Sequence, residues 1–202
     1  MKEKYKRIEI CGGIASGKTT LARLLRRSQV HPVFERFRAN PFYLAFYRDP
    51  VGTAFETEIT FLLQHYHQQK LITQRHRRFC SDFSLVLDHA YACVTLPRDQ
   101  LRIFRLILRK VESNLPSRTL LIHLACSPEI ELQRIRRRHR HAERTIKVDY
   151  LEKINAALAS RIENLSRAEK LVVIDSGTAD FAHDRRIRTA VLRRVTKALR
   201  DV

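Results

Sequence analysis

Glycine, proline, cysteine and tryptophan are all scarce in this chain of 202 residues, and the shortages exclude several classes of protein. Five glycines and six prolines leave little room for flexible linkers or low-complexity tails. The four cysteines, Cys11, Cys80, Cys93 and Cys126, show no CxxC spacing, which argues against a zinc ribbon or a disulfide scaffold. Because they stand among apolar residues, we expect reduced core thiols in a cytoplasmic protein.

Long apolar runs and acidic residues are also in short supply. No stretch approaches the roughly 18 residues that a membrane-spanning helix needs, and the charged stretch 1–7 predicts no secretory signal. Acidic residues number 21 against 39 basic ones, which gives a formal net charge of +18. Of the basic residues 29 are arginines, which suit forked recognition of phosphate. The charge therefore indicates an anionic partner: a nucleotide, a nucleic acid or an acidic lipid.

Patterns typical of strands and of helices alternate along the chain. The predicted strands cover residues 7–11, 31–34, 78–81, 119–124 and 170–175. Stretches with helical spacing separate them, and Asp99 and Ser127 are predicted helix caps. Continuously apolar strands between helices imply a parallel sheet that is covered on both faces. We expect a single α/β domain over residues 1–202.

Residues 12–19 carry the strongest signal. They read Gly12-Gly13-Ile14-Ala15-Ser16-Gly17-Lys18-Thr19, which fits G-x-x-x-x-G-K-[ST] between a predicted strand and a predicted helix. The glycines let backbone N–H groups curl around phosphate oxygens, and the helix N-terminus adds its positive end. We expect Lys18 to reach the β- and γ-phosphates and the Thr19 hydroxyl to ligate Mg²⁺. The motif predicts nucleotide binding and leaves the acceptor open.

The segment after this loop reads Phe34-Glu35-Arg36-Phe37-Arg38-Ala39-Asn40-Pro41-Phe42 and leads to Phe46-Tyr47. With the phosphate loop, it resembles the deoxynucleoside kinase family, and the resemblance extends over roughly residues 6–177. It implies that Glu35 is the base facing the nucleoside 5′-hydroxyl and that Tyr47 contacts the sugar 3′-hydroxyl. A carboxylate at the end of a strand adjacent to the loop strand can reach such a hydroxyl. The alternatives are a surface ion pair for Glu35 and a core position for Tyr47.

Three further positions match residues with which the family reads the base. Much of the family has Gln at position 58 and Arg seven residues later, where this chain has Glu58 and His65. An ionised glutamate only accepts hydrogen bonds, so it would prefer a donor-rich base edge such as that of guanine, and the base preference stays open. Asp88 matches a family acid that contacts the base. The alternatives are a core pair between Glu58 and His65 and an exposed helix face for Asp88.

Ser81-Asp82-Phe83-Ser84 stands where the family commonly has Asp/Glu-Arg-Ser. The resemblance retains Asp82 as a carboxylate that is suited to holding Mg²⁺. The alternative role for Asp82 is a cap for the following helix. Phe83 replaces an arginine that in the family helps to organise the base and the 5′-oxygen, so a catalytically weakened kinase is an alternative function.

An arginine-rich segment matches the family lid, R-x-x-x-R-G-R-x-x-E, over about residues 134–147. The resemblance implies that Arg134 and Arg138 lie near the transferring phosphoryl group, that Arg140 contacts the donor, and that Glu143 holds a sugar hydroxyl. A solvated helix face and a nucleic-acid patch are the alternatives for this run. Six further arginines have no assigned role in the kinase chemistry, and we assign them to the surface or to polyanion contact: Arg136, Arg137, Arg185, Arg186, Arg193 and Arg194.

The resemblance thus implies a P-loop kinase three-layer sandwich with a five-stranded parallel sheet and an arginine-rich lid. The implied reaction is ATP- and Mg²⁺-dependent transfer of the γ-phosphoryl group to the 5′-hydroxyl of a deoxynucleoside, by a cytoplasmic homodimer. The implied donor-binding residues are Gly12, Gly13, Ala15, Ser16, Gly17, Lys18, Thr19, Thr20, Arg140 and Asp175. The alternatives are a regulatory or nucleic-acid-binding protein with this fold, and a kinase for a nucleoside monophosphate or a polynucleotide end.

Overall fold

Five parallel strands form the central sheet. The computed structural model describes residues 7–76, 78–116, 118–165 and 170–200, so the charged residues 1–6 lie outside the described part. The strands are β1 (Arg7–Cys11), β2 (His31–Val33), β3 (Phe79–Ser81), β4 (Thr119–Ala125) and β5 (Lys170–Asp175). They lie in the order β2-β3-β1-β4-β5 and all pairs are parallel. The predicted α/β fold with a five-stranded parallel sheet is confirmed.

Helices alternate with the strands, as the apolar spacing predicts. They are α1 (Lys18–Leu25), α2 (Tyr43–Arg48), α3 (Pro50–Arg75), α4 (Leu85–Thr95), α5 (Arg98–Ser113), α6 (Pro128–Arg138), α7 (Val148–Glu163) and α8 (Arg185–Arg200). Ser127 caps α6 as predicted, since its Oγ accepts from the Ile130 N–H. The predicted cap Asp99 is wrong: α5 begins after Pro97, and Asp99 lies within the first turn.

The sheet is buried on both faces. Ile8 and Ile10 of β1 pack in one cluster with residues of α1 and α8, whereas Cys11 of the same strand packs with α4 and α7. Alternate residues of a strand point to opposite faces, so this division places helices on each side of the sheet. The result is the three-layer sandwich that the continuously apolar strands predict.

The cysteines and the helices test two further expectations. All four cysteines are free; Cys11 and Cys80 are buried as predicted, whereas Cys93 and Cys126 are only half-buried, so the expectation of core thiols is wrong for those two. No helix in the described part of the chain has the length and apolarity that crossing a membrane requires.

Candidate active site

The phosphate loop connects β1 to α1 in a conformation that needs glycine. Gly12 has a φ of 144°, and a Cβ atom there would approach the Leu124 carbonyl oxygen to 2.6 Å. The Lys18 ammonium donates to the carbonyl oxygens of Gly12 and Gly13 at 2.9 and 2.8 Å. Lys18 therefore lies across its own loop, at the carboxyl edge of the sheet where phosphate-binding loops of this kind lie.

Two carboxylates meet at this same edge of the sheet. Glu35 follows β2 and Asp82 follows β3, which lies between β2 and β1. The expectation that Glu35 follows a strand adjacent to the loop strand is therefore wrong. The two positions nevertheless come together because parallel strands present their carboxyl ends at one edge, and the neighbouring strand supplies Asp82 instead.

Asp82 joins the phosphate loop to the segment that carries Glu35. Its Oδ2 accepts from the Thr19 hydroxyl at 2.6 Å, and its Oδ1 accepts from the Glu35 backbone N–H at 2.6 Å. The alternative role as a helix cap is wrong, because the Ser84 Oγ caps α4 by accepting from the Leu87 N–H. One carboxylate thus fixes the spacing between the hydroxyl of Thr19 and the residue predicted to be the base.

A cavity of about 840 Å³ opens beside these groups, a volume suited to a nucleoside together with phosphates. The predicted site residues that line it are Ala15, Gly17, Lys18, Thr19, Thr20, Glu35, Tyr47, Glu58, His65, Asp82, Asp88, Arg134, Arg138, Arg140 and Glu143. Gly12, Gly13, Ser16 and Asp175 are not part of the lining. The Glu35 side chain is 36% exposed and faces this cavity rather than forming the alternative pair with a neighbouring arginine.

His65 lies between two carboxylates. Its Nδ1 is 2.9 Å from Asp88 Oδ2, and its Nε2 is 3.4 Å from Glu35 Oε1. Burial alone would lower the pKa of His65, but the charges of Asp88 and Glu35 and the hydrogen bond to Asp88 raise it to about 10. The ring is therefore an imidazolium at neutral pH, and a core pair with Glu58 is not formed.

The same imidazolium ring stacks on Phe83, with centroids 4.1 Å apart and planes inclined by 13°. Phe83 is buried, and Asp88 is buried too, so the alternative of an exposed helix face for Asp88 is wrong. Phe83, which stands where the family has an arginine, thus packs against a different cation, the His65 imidazolium. Burial raises the pKa of Glu35, but opposing effects, the largest of them from His65, outweigh burial and lower it.

Glu58 lies deep in the cavity wall on α3. It is 5% exposed, and its Oε1 accepts from the Thr95 hydroxyl at 3.1 Å. Burial raises the pKa of Glu58 to about 8, against the opposing effect of the Thr95 hydrogen bond. The group is therefore mostly a neutral carboxylic acid at pH 7, which both donates and accepts, unlike the acceptor-only carboxylate that the sequence suggests.

Aromatic side chains close another side of the cavity. Tyr47 lines it, with its ring 5.3 Å from that of Tyr43 and 5.7 Å from that of Phe46, both nearly perpendicular. Phe37 lies beneath the Arg140 guanidinium, 4.6 Å from the ring centroid. Burial raises the pKa of Tyr47, so its hydroxyl stays protonated and can donate to a ligand.

Three arginines of the arginine-rich segment line the cavity and are paired with other groups of the protein. Arg138 and Arg140 both bind Glu143, at 2.8 and 3.3 Å, and the Arg134 guanidinium donates to the Ser176 carbonyl at 2.7 Å. His139, where the family has Gly, has a positive φ of 52° at the end of α6. The alternative of a solvated helix face is therefore wrong for Arg134 and Arg138, which are half-buried on α6, whereas Arg140 follows the helix and stays exposed although it is paired.

Asp175 ends β5 and organises the turn that follows. Its carboxylate accepts from the Gly177 N–H at 2.9 Å and from the Thr178 hydroxyl at 2.8 Å. These bonds lower the pKa of Asp175. Arg134 reaches the same turn through Ser176, so the segment expected to face the donor is tied to the lid helix.

Thr19 and Asp82 suit a magnesium ion. Both offer hard oxygen donors, and the two oxygens are 2.6 Å apart. Among the described residues no group of three or more His, Cys, Asp or Glu side chains could hold a metal ion. A site with only one or two protein ligands fits Mg²⁺, which keeps waters and takes substrate phosphates as its other ligands.

Several lining residues are missed by the sequence analysis. Arg137, assigned there to the surface or to polyanion contact, is exposed as expected but also lines the cavity. Tyr43 and Phe61 line it as well, and each stands four residues before a predicted site residue on the same helix, Tyr47 and His65. Helical spacing would have predicted that Tyr43 and Phe61 line the cavity, since residues at i and i+4 share a helix face.

Comparison with known proteins gives the same family as the motifs. A family model described as deoxynucleoside kinase matches residues 8–200. The chain is 29% identical over 166 residues to a deoxyadenosine kinase from Dictyostelium discoideum, covering 79% of this chain and 68% of that protein. It is 28% identical over 182 residues to a deoxyguanosine kinase from Bacillus subtilis (strain 168), covering 86% of this chain and 88% of that protein.

Solved structures share the fold. Deoxyadenosine kinase from M. mycoides with bound dCTP superposes with a TM-score of 0.78 at 19% identity, over 95% of this chain and 99% of that chain. The same kinase with bound dATP gives a TM-score of 0.77 at 20% identity, over 95% and 98%. Since the family model spans nearly all of the sequence, the chain belongs to the deoxynucleoside kinase family.

Proposed function

We propose that the enzyme transfers the γ-phosphoryl group of ATP to the 5′-hydroxyl of a purine deoxynucleoside, with Mg²⁺ as the metal. The observation that carries this proposal is the double use of Asp82, which accepts from Thr19 and from the Glu35 backbone at 2.6 Å each. This arrangement holds a metal-binding hydroxyl and a carboxylate at the mouth of one cavity. Phosphoryl transfer needs that pairing of donor and acceptor.

In the proposed step the acceptor hydroxyl gives its proton to the Glu35 carboxylate as its oxygen bonds to the γ-phosphorus. The bond from that phosphorus to the bridging oxygen breaks, and ADP leaves. Lys18 turns from the loop carbonyls to the phosphate oxygens, and Arg134 and Arg138 neutralise charge on the transferring group. Thr19 and Asp82 would hold Mg²⁺, which would supply positive charge to the donor phosphates.

His65 supplies the positive charge on the acceptor side. In the structure its Nε2 makes no hydrogen bond of good geometry, although it is buried and points towards Glu35. A buried donor without a partner is costly, so a substrate oxygen that accepts from it would bind favourably. We assign His65 to holding the acceptor beside Glu35, in the pocket where Tyr47 and Glu143 reach the sugar.

The purine preference rests on the two relatives and on Glu58. The relatives act on deoxyadenosine and deoxyguanosine according to their names. A neutral Glu58 can donate to adenine N1 while accepting from N6–H, or donate to guanine O6 while accepting from N1–H. An ionised Glu58 could only accept, which suits guanine N1–H and N2–H and leaves adenine N1 facing a carboxylate.

The state of Glu58 therefore predicts a pH-dependent choice of base. Because the pKa of Glu58 is raised to about 8, the acid form is present below that pH and is lost as the pH rises through it. We expect kcat/KM for deoxyadenosine to fall above pH 8, up to about tenfold per pH unit, while kcat/KM for deoxyguanosine changes much less. Steady-state kinetics from pH 6 to 9.5 measures both.

Glu58→Gln provides the matched control, since an amide donates and accepts at every pH. In this variant the ratio of the two kcat/KM values is expected to stay constant over the same range. A ratio that changes with pH equally in the variant and in the wild type would exclude Glu58 as its source.

The proposal includes a homodimer in a reducing, cytoplasmic compartment. The four free cysteines fit such a compartment. Helix α5 exposes Ile103 and Leu106 at about half of their surface, which fits burial against a second chain. Nucleic acid is not part of the proposal, which gives no role to the exposed arginines outside the cavity lining: Arg136, Arg185, Arg186, Arg193 and Arg194.

The experiment that tests the function is a coupled ADP-release assay with ATP and Mg²⁺ against the common deoxynucleosides and ribonucleosides. We expect turnover on purine deoxynucleosides above all. Turnover on nucleoside monophosphates or on polynucleotide ends, without turnover on free nucleosides, would select the other kinase alternative. ATP binding without turnover on any acceptor would select the regulatory one.

A further inference from the structure

Glu131 is a buried acid that lies against the phosphate loop. It is in the first turn of α6 and is fully buried. A Cβ atom at Gly13 would overlap its carboxyl group, so the loop backbone at Gly13 and this carboxyl are in direct contact. One carboxyl oxygen, Oε1, is buried without a hydrogen-bond partner, and the other accepts from the Asn155 amide at 3.3 Å.

The surroundings of Glu131 contain few compensating charges. Lys18 is the cation on the loop side and Arg134 the cation on its own helix, with Glu129 as an acid on that helix. From the other packed elements it faces the neutral Asn155 of α7, and Cys126 and Tyr91 also lie within its electrostatic influence. Burial raises the pKa of Glu131 to about 7, although Lys18 and the Asn155 hydrogen bond oppose the rise.

A triphosphate on this loop changes the balance of charge around Glu131. It brings several negative charges to the backbone that the carboxyl contacts. In the proposed reaction Lys18 turns from the Gly12 and Gly13 carbonyls to the phosphates. In its present position the Lys18 ammonium stabilises the negative charge of an ionised Glu131. Like charges near one another favour the neutral form of a carboxyl group. Neutralising Glu131 therefore becomes more favourable when the donor is bound.

We propose that Glu131 is a positioning residue of the phosphate loop that couples binding of the donor triphosphate to uptake of a proton. The inference rests on the proposed function, in which ATP is the donor. Glu131 acts through the loop backbone at Gly13 and through Lys18. It is protonated in the donor complex over a range of pH in which it is ionised in the free enzyme.

Linkage fixes the sign of the effect. A group whose pKa is higher in the complex binds a proton with the ligand, so affinity for the ligand is highest below the free-enzyme pKa. With that pKa at about 7, the dissociation constant for ATP is expected to be nearly constant below pH 7. Above it, the dissociation constant rises by up to about tenfold per pH unit, until the pKa of the complex is reached.

The test is calorimetric titration of ATP in the presence of Mg²⁺, at pH 6.5, 7.5 and 8.5, in two buffers with different ionisation enthalpies. The buffer dependence of the heat gives the number of protons taken up per ATP. Glu131→Gln removes the titrating group with little change in shape, and the contribution of ATP itself is the same for both proteins. Glu129→Gln is the matched control, because it removes an exposed acid from the same helix turn.

We expect the wild type and Glu129→Gln to take up more protons per ATP than Glu131→Gln, by up to about three-quarters of a proton at pH 7.5, because a group with a pKa of about 7 is ionised to about that extent in the free enzyme. The ATP affinity of Glu131→Gln should depend less on pH. Asn155→Ala offers a second test that keeps the acid. Because it removes a hydrogen bond to the ionised form, the pH at which affinity begins to fall should move upwards. The pH dependence of ATP affinity in Asn155→Ala therefore still tests the inference if Glu131→Gln does not fold.

Two results would overturn the inference in distinguishable ways. Equal proton uptake by the wild type and Glu131→Gln, with ATP bound by both, would remove Glu131 from the linkage and leave the proposed donor intact. Lack of ATP binding by the wild type at every pH would instead remove the proposed donor, and the inference with it.

Discussion

Lys18→Ala is expected to lower kcat/KM for phosphoryl transfer by at least about 10²–10³-fold while the protein stays folded. The Lys18 ammonium is the cation that lies across the phosphate loop, on the carbonyls of Gly12 and Gly13. Burial lowers the pKa of Lys18, and the charges of Glu35, Glu131 and Asp82 oppose this lowering. The substitution therefore removes both the proposed phosphate ligand and the cation that lies near these three carboxylates.

Steady-state kinetics and ATP titration measure this effect, with circular dichroism to confirm the fold. Lys70→Ala is the matched control, because Lys70 is exposed on α3 and contacts the Tyr66 ring away from the cavity. It should behave as the wild type does. A Lys18→Ala protein with wild-type turnover would show that the loop binds phosphate without its lysine and would remove Lys18 from the site.

Glu35→Gln is expected to lower kcat by about 10²–10⁴-fold, the usual contribution of a general base. Glutamine keeps the shape of the side chain but cannot take the proton of the acceptor hydroxyl. The Asp82 bond to the backbone N–H of Glu35 is untouched by this change, so the phosphate loop and the Thr19 hydroxyl keep their positions. ATP affinity should therefore stay within a few-fold of the wild-type value.

Glu56→Gln makes the comparison specific, since Glu56 is an exposed acid on α3 outside the cavity lining. We expect it to leave kcat and KM unchanged. Turnover of Glu35→Gln at the wild-type rate would show that Glu35 is not the base. A loss confined to KM would make Glu35 a binding residue only.

The general plan of the site can be predicted from the sequence because it depends on local rules. The Gly-rich motif fixes the loop between β1 and α1, and a parallel sheet presents all strand ends at one edge. Glu35 and Asp82 each follow a predicted strand, so their meeting at that edge follows without any knowledge of tertiary contacts. The order of the strands does not follow, because pairing of β3 between β1 and β2 is a long-range choice.

The relation between His65 and Phe83 could not be predicted from the sequence, because it depends on a contact between distant segments. His65 and Phe83 each depart from the family pattern, and the sequence presents them as separate substitutions on different elements. In the structure their rings stack at 4.1 Å, so they form one unit. Phe83 replaces an arginine of the family, and the positive charge lost with that arginine is supplied by the His65 imidazolium, which lies between Asp88 and Glu35.

Protonation states are equally hidden from the sequence. Glu58 and Glu131 look like ordinary acids in the chain, yet each is almost completely buried, and burial raises the pKa values to about 8 and about 7. The position of Arg137 is predicted only in part. Its place in a run of arginines indicates the surface, where it is indeed exposed, but at the end of α6 it also lines the cavity.

Transfer to the 5′-hydroxyl is tested most directly by acceptors that lack one hydroxyl group, used with ATP and Mg²⁺. A 3′-deoxy purine nucleoside should still be phosphorylated, with its phosphate on the 5′-oxygen by NMR, though with a higher KM if Tyr47 and Glu143 bind the sugar. A 5′-deoxy purine deoxynucleoside should bind and inhibit without being phosphorylated. Phosphorylation of the 5′-deoxy compound, or a product carrying phosphate on the 3′-oxygen, would contradict the placement of Glu35 opposite the donor.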